Sequence, residues 1–204
     1  MRRTRNAIYG RGCDPARIIR KSPQIEIVRY RNGNTWNIIE TILWMDAHSS
    51  YWVDIERVEC LRGATERDTM YNVWAFVKNN PRYMADKPGF ERVKSPGALY
   101  GSGFGDCKSF SIAEGALLRA LGIPYKYRFA AYKTGDFTHV YVVAGNEVIM
   151  DAVHDTFDDE VPYRRKKDIR PTATAIGALP PAPPRQDLGM LLAGLIGLYL
   201  IFYK

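Results

Sequence analysis

Cysteine is scarce in this chain of 204 residues: Cys13, Cys60 and Cys107 are the only three, and no two form a CxxC pair. That odd, scattered count speaks against a disulfide framework and against a zinc ribbon. Cys13 and Cys60 read as buried structural cysteines. There is no internal repeat, and no apolar run follows the basic N-terminus, so no cleaved signal peptide is expected. The Gly-rich stretch 101–105 is not followed by Lys-Ser/Thr at P-loop spacing, which excludes a nucleotide cradle of that kind. His48 has no second ligand nearby in sequence, so no metal centre and no cofactor are expected.

What is present is enough for a core. Hydrophobic residues make up 46% of the chain and charged ones 25%, which excludes global disorder. The net charge of +7 is carried by the flanks: residues 1–21 hold +6 and residues 164–170 hold +4, leaving the body at −3. Nucleic-acid binding is therefore disfavoured. The basic segments suit a loose contact with an anionic surface, or are simply solvated.

The order of patterns predicts an α+β fold, with N-terminal helices packed on an antiparallel sheet. Residues 24–31 alternate as a strand and end at Asn32-Gly33-Asn34. Trp36, Ile39, Leu43 and Trp44 give helical spacing over 35–47, and a further helical run is expected at 54–61. Thr65 and Asp68 resemble a capping signal for a helix through Val77. The four tryptophans read as core. A long irregular connection follows, rich in proline and glycine, up to Gly105. After it come a helix to about Leu121 and strands at 125–132, 138–143 and 147–153.

Four regions are expected: a basic arm (1–23), one domain (24–162), a basic and Pro-rich linker (163–187) and a hydrophobic segment (188–204). Leu188–Tyr203 is uncharged over sixteen residues. As a helix it would span about 24 Å, short of the roughly 30 Å hydrocarbon layer. It is expected to anchor the chain to a membrane with the domain on the cytoplasmic side; a buried helix packed on the domain or a partner is the alternative.

Three residues carry candidate chemistry. Cys107 sits where a Gly-rich loop meets a helix, and free N–H groups at a helix start favour a thiolate. His139 and Asp151 fall on consecutive strands. A three-residue loop at 144–146 would place Val143 opposite Glu147 and His139 opposite Asp151, with Val140, Val142, Val148 and Met150 on the other face. Directly opposed side chains lie about 5 Å apart at Cβ, within reach of a carboxylate–imidazole hydrogen bond. A two-residue loop would turn Asp151 towards the valines instead. Asp106 reads as a helix cap. His154 is a weaker second imidazole near Asp151. Asn79, Asn80, Tyr83 and Tyr100 stay open as oxyanion donors beside the Cys107 N–H.

These blocks resemble a known family. GDC at 105–107, ALLRALGIPYKYRF at 116–129, DFTHVYV at 136–142 and IMDAV at 149–153 occur in the order seen in the transglutaminase-like superfamily. The stretch from Tyr71 to Tyr100 is similar to bacterial and phage-associated members. The likeness covers roughly residues 50–160. It departs at Asp151-Ala-Val, where many members have Asp-Pro-Thr. The resemblance implies a papain-like core with Cys107 as nucleophile, His139 as base and then acid, and Asp151 as the orienting carboxylate. The substrate would be a peptide or protein amide, cleaved or transferred. The alternative is a catalytically idle module of the same fold, serving as a membrane-associated or phage virion component.

Overall fold

The computed structural model describes residues 13–21, 27–31, 33–133 and 135–171. The expected membrane segment, Leu188–Tyr203, lies outside them, as do most of the basic arm and of the Pro-rich linker. Among the described residues no helix is long and apolar enough to cross a membrane.

The architecture mixes helices and antiparallel sheet. In chain order it runs α1 (Pro15–Ile18), β1 (Ile27–Arg31), α2 (Thr35–Ala47), α3 (Glu66–Asn79), β2 (Arg82–Tyr83), β3 (Phe90–Lys94), α4 (Pro96–Ser102), β4 (Phe104–Gly105) and α5 (Cys107–Ala120). It closes with β5 (Tyr125–Ala131), β6 (His139–Ala144), β7 (Val148–Met150) and β8 (Arg165–Ile169). The main sheet has the order β7-β6-β5-β8, while β1 pairs with β3 and β2 with β4.

Local chemistry sets the helix starts. Asn34 caps α2 in a reciprocal box with Asn37, and Thr65 caps α3 in the same way with Asp68. Asp68 is one carbon shorter than the usual partner yet reaches the Thr65 N–H at 3.1 Å. The run at 54–61 forms only a 3₁₀ turn over Arg57–Leu61, because Asp54 accepts from the N–H groups of Glu56 and Arg57 and holds a turn instead. The Pro/Gly-rich connection is more ordered than expected: it holds β3 and α4, the latter opened by Ser95-Pro96 and closed by Gly103 in the left-handed region.

Helix α5 is the central element. Every residue from Cys107 to Leu118 is buried, and the helix packs on β6, α3, α4 and α2. Gly115 is required where α5 crosses β5, since a Cβ there would collide with the Tyr127 ring. That approach lets the Tyr125 and Tyr127 hydroxyls donate to the fully buried Asp46 of α2, which also pairs with Arg119 near the end of α5.

Three expectations are corrected. Cys13 and Cys60 form a disulfide, with Cα atoms 5.5 Å apart. It joins the chain just before α1 to the 3₁₀ turn across 47 residues, a distance over which spacing gives no pairing signal. The sheet continues past the expected boundary at 162. Arg165–Ile169 pairs with β5 as an edge strand, and its charges read as linker because edge strands tolerate them. Asp168 and Glu160 both pair with Arg128, which is buried in β5. Finally, Trp52 and Trp74 are core, but Trp36 is 61% exposed, with the Lys167 ammonium 3.8 Å from its ring centroid.

Candidate active site

Cys107 is the first residue of α5. Asp106 caps the helix as expected, accepting from the Ser109 N–H, and pairs with Lys108. The helix therefore presents its positive end at the thiol. Cys107 is 9% exposed and opens into a cavity of about 330 Å³ that His139, Tyr83, Phe129 and Phe137 also line. It is a free thiol.

The β6–β7 hairpin differs from its expected register in an instructive way. Ala144 faces Val148, so the three-residue loop is Gly145-Asn146-Glu147, one position later than expected, with Gly145 and Glu147 at positive φ. Moving a loop of fixed length by one residue shifts the pairing by two. Side chains alternate with a period of two, so every residue keeps its face. Val140, Val142, Val148 and Met150 still enter the main core. His139 and Asp151 still share the opposite face and meet diagonally: Nε2–H of His139 donates to Asp151 Oδ2 at 2.6 Å.

Other bonds fix both groups. Asp151 Oδ1 accepts from the Val153 N–H at 3.1 Å, and its backbone carbonyl accepts from Trp74 Nε1 at 3.1 Å. Cys107 lines the same cavity as His139 and lies close enough to act on its ionisation. Burial works against the imidazolium, but the hydrogen bond to Asp151 and the nearby Cys107 sulfur outweigh it, and His139 is lifted to about 10. An imidazole held towards its charged form thus stands near a sulfur at a helix start. That arrangement can attack an electrophilic carbon and return a proton to a leaving group.

Two contributors had little sequence signal. Ser111 Oγ lies 2.8 Å from Cys107 O and 2.9 Å from Val140 O, so one hydroxyl ties the nucleophile's turn to the strand that carries His139. Its spacing of four from Cys107 is the only hint. Among the four oxyanion candidates, Tyr83 lines the cavity. Asn79 and Asn80 donate back to carbonyls of α3, and Tyr100 stacks on Phe76. Burial first, then the nearby Cys107 sulfur, raises the Tyr83 phenol above its ordinary value, which keeps it a donor.

Glu114 lies two turns along α5 from Cys107, fully buried, with Oε1 lacking a hydrogen-bond partner. Burial, and secondarily the Asp151 charge, raises it well above the ordinary range, which favours its neutral form. An acid raised in the folded state favours folding only below its unfolded value, and stability drops as pH rises towards its folded value. The slope is about 1.4 kcal/mol per pH unit. Glu114→Gln is expected to leave stability at pH 4 nearly unchanged and to raise it at pH 8, in urea titrations at both pH values.

Among the described residues, two clusters have metal-ligating atoms within 4.8 Å of one another: Asp86, Glu91 and Asp106, and His139, Asp151 and His154. The first already surrounds a cation, since Lys108 Nζ pairs with all three carboxylates. His48 is not a ligand candidate: it is buried, and its Nδ1 lies 2.6 Å from the Trp44 carbonyl.

A buried helix opening on a thiol, with a histidine and a carboxylate supplied by consecutive strands, defines a cysteine-centred site on a helix-and-sheet scaffold. The chain belongs to the transglutaminase-like superfamily, whose family model matches residues 59–169. No curated protein matches it. Among solved structures it is similar to a candidate cysteine protease of Cytophaga hutchinsonii, at 22% identity and a TM-score of 0.41. The match covers 68% of this chain and 47% of that one, so the chain spans about half the length of that protein.

Proposed function

We propose that the protein catalyses acyl transfer on amide bonds, with Cys107 as nucleophile, His139 as acid and base, and Asp151 orienting the imidazole. The observation that carries this reading is the 2.6 Å contact of His139 with Asp151, with His139 and Cys107 on the wall of one cavity. His139 takes the Cys107 thiol proton as the sulfur attacks the carbonyl carbon of a peptide or protein amide. The oxyanion is held by the Cys107 N–H and the Tyr83 hydroxyl. The C–N bond breaks as imidazolium His139 gives its proton to the leaving amine. Neutral His139 then removes a proton from water, which attacks the thioester; the carboxylic product leaves and the thiol–imidazole pair is restored. An amine in place of water makes the same intermediate a cross-link.

The Cys13–Cys60 disulfide favours an oxidising compartment for the domain over the cytoplasmic face, because such bonds are rare in the cytosol.

The test is to trap the intermediate. A mixed peptide-amide pool is incubated with the full chain, quenched in acid and measured by intact mass. A substoichiometric acyl adduct on Cys107, discharged by hydroxylamine, is expected. An unmodified Cys107 that iodoacetamide nevertheless alkylates would identify an idle module instead.

A further inference from the structure

Of the chain's three histidines, two converge on one carboxylate, and acyl transfer uses only one of them. His154 lies three residues beyond Asp151, and its N–H donates to the Asp151 carbonyl at 3.0 Å, a turn that returns its ring towards the same side chain. Its Nε2 stands 3.5 Å from Asp151 Oδ2, the oxygen that His139 contacts from the other side. The two imidazoles are 6.1 Å apart at their centroids and nearly perpendicular.

We propose that His139, Asp151 and His154 form a binding site for a divalent transition-metal cation of the zinc type, and that occupancy reversibly silences the enzyme. A tetrahedral zinc with bonds of about 2.0–2.1 Å holds its ligand atoms about 3.3 Å apart. The three atoms already lie within 4.8 Å of one another, so shifts of roughly 1–1.5 Å in side-chain position close the shell. Two imidazoles and one carboxylate oxygen suit zinc, copper or nickel. They do not suit calcium or magnesium, which take oxygen ligands. The His154 side chain is 38% exposed against 11% for His139 and 5% for Asp151, so the ion enters from the His154 side. Once bound, it holds His139 Nε2 and Asp151 Oδ2 and removes the contact that orients the imidazole towards Cys107. Neither a thiol nor another imidazole occurs in the undescribed segments to compete for the ion.

The binding part of the proposal stands on geometry alone; the silencing part rests on the catalytic reading above. The test uses the untagged full chain with zinc chloride in equilibrium dialysis, and cobalt as an optical probe. One zinc per chain is expected for the native protein and for Cys107→Ser, with affinity at least tenfold weaker in His154→Gln. Cobalt should give a tetrahedral visible band with no sulfur-to-metal charge transfer. Unchanged affinity in His154→Gln would overturn the site. So would loss of binding in Cys107→Ser or a thiolate band with cobalt, because the ion would then sit on the thiol–imidazole pair. A circular-dichroism spectrum of His154→Gln establishes that it is folded. For silencing, amide turnover should fall with zinc and return with a chelator, and His154→Gln should need at least tenfold more zinc. Turnover that persists in zinc-loaded protein refutes silencing. A protein that binds zinc but shows no acyl adduct in the trapping experiment refutes the acyl-transfer reading and leaves the metal site standing.

Discussion

Cys107→Ala is expected to lower amide turnover by about 10⁴-fold or more, with little change in stability. Losing the nucleophile removes the covalent route altogether, and residues that act as one unit each cost nearly the whole catalytic effect when deleted singly. The fold is spared because the side chain is small, sits at the first turn of α5 and faces a cavity. The measurement pairs turnover with a thermal melt. Residual activity within tenfold of the native protein, at equal melting temperature, would remove Cys107 from the chemistry. The pH profile adds a second readout with a definite sign. His139 is raised to about 10, so the acid that protonates the leaving amine is lost only as pH climbs through that value. The charged pair's contribution to stability runs the same way: it is complete below the ordinary histidine value of about 6.5 and fades towards about 10. Asp151→Asn, by taking away the carboxylate, should move the alkaline limb to lower pH.

Asp46→Ala is expected to cost about 3–5 kcal/mol of folding stability, the usual range for removing one partner of a buried ion pair. Asp46 is fully buried and accepts from Arg119 and from the hydroxyls of Tyr125 and Tyr127. Deleting it removes the carboxylate that pairs with Arg119 and the acceptor of two phenols, of which Tyr127 is fully buried. Against a total of about 5–15 kcal/mol, that is a large fraction. The same contact joins α2 to the far end of α5 and to β5, next to the strand that holds His139. Its loss therefore loosens the frame that aims Cys107 at the imidazole. Urea titration followed by tryptophan fluorescence measures the effect, and a loss below about 1 kcal/mol would show that the cluster carries no net stability.

Much of the candidate site was legible because its signals are local. A cysteine after Gly-Asp at the head of an apolar helical stripe is a short-range pattern. So is the alternation that sends Val140 and Val142 one way and His139 the other. Even the misjudged loop position left the outcome intact, since a two-residue register shift preserves side-chain facing. The capping boxes at Asn34 and Thr65 are local in the same sense.

The sequence by itself determined which residues alternate, which start helices and which thiol stands at a helix start, because these depend on backbone periods of two and 3.6 residues. Only the tertiary structure decided that Cys13 meets Cys60, that Asp46 gathers residues up to 81 positions away, that Ser111 ties α5 to β6, that Arg165–Ile169 completes the sheet, and that His154 turns back onto Asp151. Most of those contacts join elements far apart in the chain, so they exist only once packing has chosen which faces touch, and periodicity carries no trace of that choice. His154 is close in sequence, yet its ring reaches Asp151 through a non-repeating turn, which periodic patterns do not describe either.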